Sequence, residues 1–468
     1  MKMNRAAKVI IGLLLGAGTA FGGGPLYVGG PTFGGDGKVL TWDPAKMPIQ
    51  YRVDPGPMAS SANGSVVIDH AAGVQRIQNM LAVWQGIPNA AISFSNAGPI
   101  TAVGSYTGGD VSTVAQYNDV VGSCKAGSQN PIIFDANGSL MKALGVPDEV
   151  IGYTNICAVD GAAGHITAAM ITLNGKMQDG VDADNATPPN YELTANQFDE
   201  SITHEFGHFI GLDHSQINLD LLTQGAYPCD LDKLAGMPLM FPIEFCQAKK
   251  DAGLTLLAPD DMAWVSKMYP GPSQNTAYGV ISGRIYFSDG TSQYEGLNVI
   301  ARAVDNQSTS QNESRRIAVS VISGFLFTGN PGQSVTADMA DSLEHNTGGS
   351  KYGSRNVQLI GYYEIPVPPG TYTVEVEPVF SPFTGGSGMG PMLENPRVDS
   401  GEYWNIYESP FDYPEERDTI DIKGGDKADG IDIILNYTPG TYDDNEDWGA
   451  AWIVPILPTD ETRTAVGQ

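Results

Sequence analysis

Positive charge, cysteine and long apolar runs are all scarce in this chain, and each shortage narrows what it can be. Only 25 Lys and Arg stand against 53 Asp and Glu over 468 residues, a formal net charge of −28. With no basic face to meet phosphate, nucleic acid is excluded as a partner. The acidity reads first as a solvated surface, favouring solubility outside the cell and leaving room for calcium. Four cysteines, Cys124, Cys157, Cys229 and Cys246, form an even set that suits disulfides in an exported protein. Pairing by proximity gives Cys124–Cys157 and Cys229–Cys246, with the other connectivities open. After residue 20 no run is long and apolar enough to span a bilayer, and the last residues carry no hydrophobic sorting tail.

The one short apolar run lies at the start. Lys2, Arg5 and Lys8 precede Val9 to Ala20, which is apolar and ends on small residues. A basic stretch, a short apolar core and small residues near a cleavage point read as a secretory signal peptide over 1–20. The expected location is therefore extracellular, with periplasm or cell surface as variants; no membrane span remains once the signal is removed, and the alternative is an uncleaved anchor. Residues 21–41 are rich in glycine and are expected to form a flexible leader.

Histidine is rarer still, and half of it sits in one stretch. Of six His, three lie in His204-Glu205-Phe206-Gly207-His208-Phe209-Ile210-Gly211-Leu212-Asp213-His214. Apolar Phe198, Ile202, Phe206 and Phe209 give the preceding run helical character. On a helix His204 and His208, four apart, point at one ion. Gly211 can take the left-handed turn that ends the helix and swings His214 back as a third ligand. Three imidazoles leave one position open, as a catalytic rather than a structural zinc requires. Glu205 adjoins the first ligand and can reach a metal-bound water. The bland alternative, a core helix with two solvated histidines, does not explain the Gly and third His at fixed offsets.

This extended motif resembles that of the metzincin zinc metallopeptidases, and Ser215 after the last His resembles their matrixin-like branch. Two further stretches support the resemblance. Pro238-Leu239-Met240-Phe241-Pro242 is similar to the Met-turn beneath the metal, with Met240 as the turn methionine. Leu257 to Tyr269, with Asp260-Asp261 at its start, is similar to the closing helix of that domain. The connection from His214 to Met240 is longer than usual and contains Cys229. The structural-zinc histidines of the branch have no clear match, and His165 stands alone. Pro242, where other branches carry a tyrosine ligand, removes that ligand here. The leader holds no cysteine, so a thiolate latch of the matrixin type cannot come from it.

The resemblance implies an α+β metzincin catalytic domain at 42–272, with a mixed twisted sheet, an active-site helix and a C-terminal helix. The residues themselves supply a first strand at 48–53, a helix at 71–84, strands at 91–94 and 131–134, and a loop at 103–129. Ile166 to Leu173 forms a fourth strand, which the resemblance makes the edge strand above the cleft, open to pairing with an extended peptide. Asp179, Asp182, Asp184 and Asn185 make an acidic loop with calcium-binding character, though without EF-hand spacing. From about 278 the texture turns to β. Two alternating runs flank Pro368-Pro369-Gly370, and strands at 420–422 and 431–435 follow. This resembles the prealbumin-like β-sandwich of carboxypeptidase regulatory-like domains. The accessory domain is placed at 278–437, available to bind another surface or protein, and an acidic tail at 438–468.

The function implied is a secreted zinc endopeptidase with protein or peptide substrates. One zinc on His204, His208 and His214 would lower the pKa of its water to about 7 and carry the developing oxyanion. Glu205 would take that water's proton and pass it to the leaving amine. By resemblance Met240 floors the imidazoles, and Phe241, Pro242 and Ile243 wall the side-chain pocket. The rival readings are an inactive metalloprotease-like scaffold that binds surfaces through its β domain, and a metal-dependent hydrolase of small esters or amides.

Overall fold

The computed structural model describes residues 10–11, 23–30, 34–125, 127, 129–181, 192–223, 229–244, 247–327, 354, 356–379 and 402–436. It is a mixed α/β protein of several sheets and a few helices. An antiparallel pair comes first, β1 (Val28–Gly30) with β2 (Gly34–Val39). Then follow β3 (Ile49–Val53), helix α1 (His70–Gln85), β4 (Phe94–Pro99), α2 (Val114–Gly122), β5 (Pro131–Asp135), β6 (Gly152–Asp160), β7 (His165–Asn174), α3 (Ala195–Phe209) and α4 (Pro259–Met268).

Local chemistry explains these elements. In β3, Ile49, Tyr51 and Val53 are buried while Gln50 faces out, the period of a strand on a core. Asp69 caps α1 by accepting from the Ala72 amide at 2.8 Å. Ile77, Leu81 and Trp84 form the buried stripe of α1, and the Trp84 indole donates to Thr203 O in α3. The first sheet runs β6-β7-β5-β3-β4, and only β6 and β7 are antiparallel.

That order corrects one expectation. The strand at 166–173 is not at the edge: β6 flanks it and is itself the sheet's end. The physical reason is visible in β7, whose Ala168 to Leu173 are buried on both faces, as suits an interior strand. Two smaller corrections follow. The strand expected at 91–94 begins only at Phe94, because the Ala91 amide donates to Tyr269 O and Ala90 bridges to Pro270. The loop expected over 103–129 contains α2, started by a capping box of Thr113 and Gln116.

Beyond 278 lie two more sheets. The strands are β8 (Gly279–Tyr286), β9 (Leu297–Ala303), β10 (Ala318–Ile322), β11 (Tyr362–Val367), β12 (Gly370–Pro378), β13 (Ile420–Ile422) and β14 (Ile433–Ile434). β8 pairs with β11 and β14; β9 lies between β10 and β12, and β12 also pairs β13. Pro368-Pro369-Gly370 therefore carries the chain from one sheet to the other rather than closing a hairpin. Proline has no amide to offer a ladder, so pairing stops there. Ile281, Ile365, Val299, Val374 and Trp264 belong to one continuous core with the first sheet's Ile132 and Leu173.

The leader is also packed where it is described. The Gly23 amide donates to His214 O at 2.7 Å and the Leu26 amide to Gly211 O at 2.7 Å, while Gly24 O accepts from the Asp213 amide. Leu26 and Val28 are buried. Gly23 has φ +52°, and a Cβ there would lie 2.3 Å from Ser320 O, so glycine is what lets the segment pass between the two halves. The glycines that read as flexibility thus mark close approach. Of the expected signal peptide only Ile10–Ile11 is described, with its backbone paired to Ile243–Glu244. The tail at 438–468 lies outside the described residues. Among the described residues no helix is long and apolar enough to cross a membrane.

Candidate metal centre

Helix α3 starts on a capping box, in which Thr194 accepts from the Gln197 amide and the Gln197 side chain accepts from the Thr194 amide. It carries His204, Glu205 and His208. At its end Gly211 takes φ +89°, with its amide on His208 O and the Leu212 amide on Gly207 O. A side chain there would press on Ile166 Cδ1 and Leu40 O, at 3.0 and 3.3 Å. The reversal brings His214 back beside the helix.

The three imidazoles converge, each offering a nitrogen within 4.8 Å of the others. Nε2 of His208 and Nε2 of His214 are 3.0 Å apart. His204 Nδ1 meets Leu239 O at 2.8 Å, and His208 Nδ1 meets Leu212 O at 2.9 Å. Those carbonyls can only accept, so each Nδ1 carries the proton and each Nε2 keeps its lone pair. Burial holds the rings neutral: it pushes His204 down to about 4 and His208, with help from His204, down to about 3. His214 is driven down by burial and by the two neighbouring rings. Neutral imidazoles with converging lone pairs are the ligating form, so this set can hold a metal ion.

Glu205 is buried beside the trio. Thr154 Oγ1, on edge strand β6, donates to Glu205 Oε2 at 2.7 Å and lies 3.0 Å from Glu205 O. Burial lifts the carboxyl to about 7, partly offset by that hydroxyl.

Met240 lies under the helix at Gly207. A Cβ on Gly207 would meet Met240 Sδ at 2.1 Å. The turn is fastened by Asp261, whose carboxylate accepts from the Leu239, Met240 and Ala258 amides. Leu239 O in turn orients His204, so Asp261 acts on the ligand through two bonds. Met240 O also accepts from the Ser215 amide at 3.0 Å, next to the third His. Gly207→Ala should therefore displace the sulfur and loosen the turn. We expect about 1–3 kcal/mol of destabilisation from overpacking, with weaker metal binding, measured by denaturant unfolding and metal titration. An unchanged unfolding midpoint would show that the contact tolerates the methyl.

Other expected residues are placed less centrally. Phe241 is buried and Pro242 half-buried; the Ile243 side chain lies outside the described residues. Asp179 accepts from the Val181 amide at 2.8 Å, while Asp182, Asp184 and Asn185, expected with it in a calcium loop, lie outside the described residues. Cys124 and Cys157 form a disulfide spanning 33 residues, tying the end of α2 to β6. Cys229 is also disulfide-bonded, and Cys246, its expected partner, lies outside the described residues. His165 stands 3.9 Å from Asp43 and takes no part in the trio.

Thr154 and the role of Asp261 were not anticipated. Asp261 carried a signal, since Asp260-Asp261 stand out at the start of α4, but nothing in the sequence ties that carboxylate to the Met240 turn. Thr154 carried none, because nothing local links β6 to α3. A second group of close potential ligands, Glu402, Glu408 and Asp412, lies on the β domain. No family model matches this chain, and no curated protein matches it.

Proposed function

We propose that this chain is an exported zinc-dependent endopeptidase of the metzincin type, from the matrixin-like branch. The observation that carries the reading is the convergence of His204, His208 and His214 with Glu205 buried alongside. An all-imidazole set without thiolate suits zinc, and three protein ligands suit a catalytic site. The bound metal would polarise a scissile carbonyl and acidify water. The chain's own residues supply the rest. Thr154 holds the Glu205 carboxylate in one position, where it can take a proton from water and return it to a leaving amine. Strand β6 ends its sheet, so an extended peptide can add to it and lie across the site.

The test is direct. The purified chain should contain one zinc, cleave casein, lose that cleavage in 1,10-phenanthroline and regain it on zinc addition. His208→Ala should lose both metal and cleavage. A chain that binds zinc tightly yet cleaves neither casein nor a peptide library would favour the surface-binding scaffold and overturn the proposal.

A further inference from the structure

The β domain exposes a surface that the metal centre does not use. Nine large apolar side chains are exposed among the described residues, and four of them fall in one loop: Ile406, Tyr407, Phe411 and Tyr413, at 67, 87, 72 and 68%. Such clustering is uncommon on a soluble surface and marks contact sites. The loop is braced from below. Asn405, buried, donates to Asp412 Oδ2 at 2.7 Å and accepts from the Tyr407 amide at 2.7 Å. Glu408 accepts from the Asn405 and Ile434 amides, both at 2.8 Å. The rings are thus held outward by a fixed scaffold, which lowers the entropy lost when they meet a partner.

Beside the loop opens a cavity of about 480 Å³, lined among others by Tyr286, Trp404, Ile406, Glu408 and Asp432. The surrounding charge is predominantly negative. Residues 402–418 contain Glu402, Glu408, Asp412, Glu415, Glu416 and Asp418, against the single base Arg417. Arg417 is exposed, with its guanidinium engaged over the Tyr403 ring at 5.2 Å and bonded to Pro414 O. Glu402, Glu408 and Asp412 crowd within 4.8 Å of one another, and burial, with Asp412 and Glu402 beside it, pushes Glu408 up to about 8, so an incoming cation would favour its ionised form. Aromatic faces edged by carboxylates attract a guanidinium or ammonium twice over, through the ring quadrupole and through charge. A neutral saccharide would leave the carboxylates unbalanced, and anionic lipid would be repelled by them.

We propose that the 404–413 loop and the cavity beside it form a docking site for a basic polypeptide segment, with Arg or Lys entering against Trp404, Glu408 and Asp432. This does not rest on the peptidase reading, since docking needs no metal. The probe is a fluorescein-labelled octapeptide of alternating arginine and alanine, followed by anisotropy on the full chain in a Glu205→Gln background that removes turnover. Tyr407→Ser/Phe411→Ser changes no charge and removes only exposed rings, and it should weaken binding about ten-fold. Glu408→Gln/Asp432→Asn should weaken it about as much. The charge-matched Asp148→Asn/Glu149→Gln, in the other half of the chain, should change it less than about two-fold. Equal losses in the two charge-removing variants would reduce the effect to net charge and overturn the proposal. So would an unaltered affinity in the aromatic pair. Aromatic-dependent binding of phosphatidylcholine vesicles or of a neutral oligosaccharide, without peptide binding, would reassign the surface and likewise overturn it.

Discussion

Glu205→Gln is expected to lower kcat/KM for peptide cleavage by about 10²–10⁴-fold, the range for loss of a general base. Metal content should stay unchanged. The two halves of that result come from one bond. Thr154 donates to Oε2 of Glu205 at 2.7 Å, and an amide oxygen can accept it equally well. The side chain therefore keeps its place and no metal ligand moves. What disappears is basicity. Burial raises the native carboxyl to about 7, near the point where a group can both take and release a proton. An amide can do neither. The check is steady-state kinetics alongside metal analysis of the same preparation. A Gln variant with wild-type turnover would remove Glu205 from the chemistry, and lost metal would mean that the substitution acts through structure.

The parts of this site that could be read from the chain are those set by local spacing. His204 and His208 share a helix face because helices repeat, and Gly211 turns the chain because φ +89° suits glycine. Met240 was legible only through resemblance, and its physical basis is the missing Cβ of Gly207. What could not be read depends on contacts distant in sequence. Strand β6 was missed because its one-sided burial, with Thr154 and Asn155 in the middle, shows no clear apolar period. Edge position therefore went to β7, whose apolar run in fact marks an interior strand. The packing of the leader's described residues is hidden in the sequence for a related reason. Glycine frees an isolated chain, but in a tight gap it is the residue that fits, and only the Ser320 carbonyl beside Gly23 tells the two apart.

A chain ended after Pro272 should fail to fold, although the resemblance places the whole peptidase domain before that point. The reason lies just past the third ligand, where the β domain grips four consecutive residues. Ser215 Oγ meets Ser320 Oγ at 3.1 Å. Gln216 Nε2 donates to Glu377 Oε1 and Pro378 O, both at 2.9 Å. Ile217 is buried against Ile300 and Ala318. Asn218, at φ +63°, donates to Arg315 O and accepts from Arg302 Nη1. In α4, the Trp264 indole donates to Ser320 O and packs on Phe325, and buried Asp260 accepts from the Ser320 amide. Removing the β domain would strand these groups together. Uncovering a large apolar side chain such as Trp264 or Ile217 costs about 1.5–3 kcal/mol, and each net hydrogen bond lost about 0.5–1.5 kcal/mol. Typical domains hold only about 5–15 kcal/mol in all, so the sum is comparable to everything the fragment has. Near-ultraviolet circular dichroism and metal titration of the fragment should show neither fixed packing nor a tight site. In the full chain, Asn218→Ala isolates the grip itself: it should weaken metal binding while the chain stays folded, because it releases the loop that carries His214. A fragment that folds and binds metal like the intact protein would show that the His214 loop holds its shape unaided.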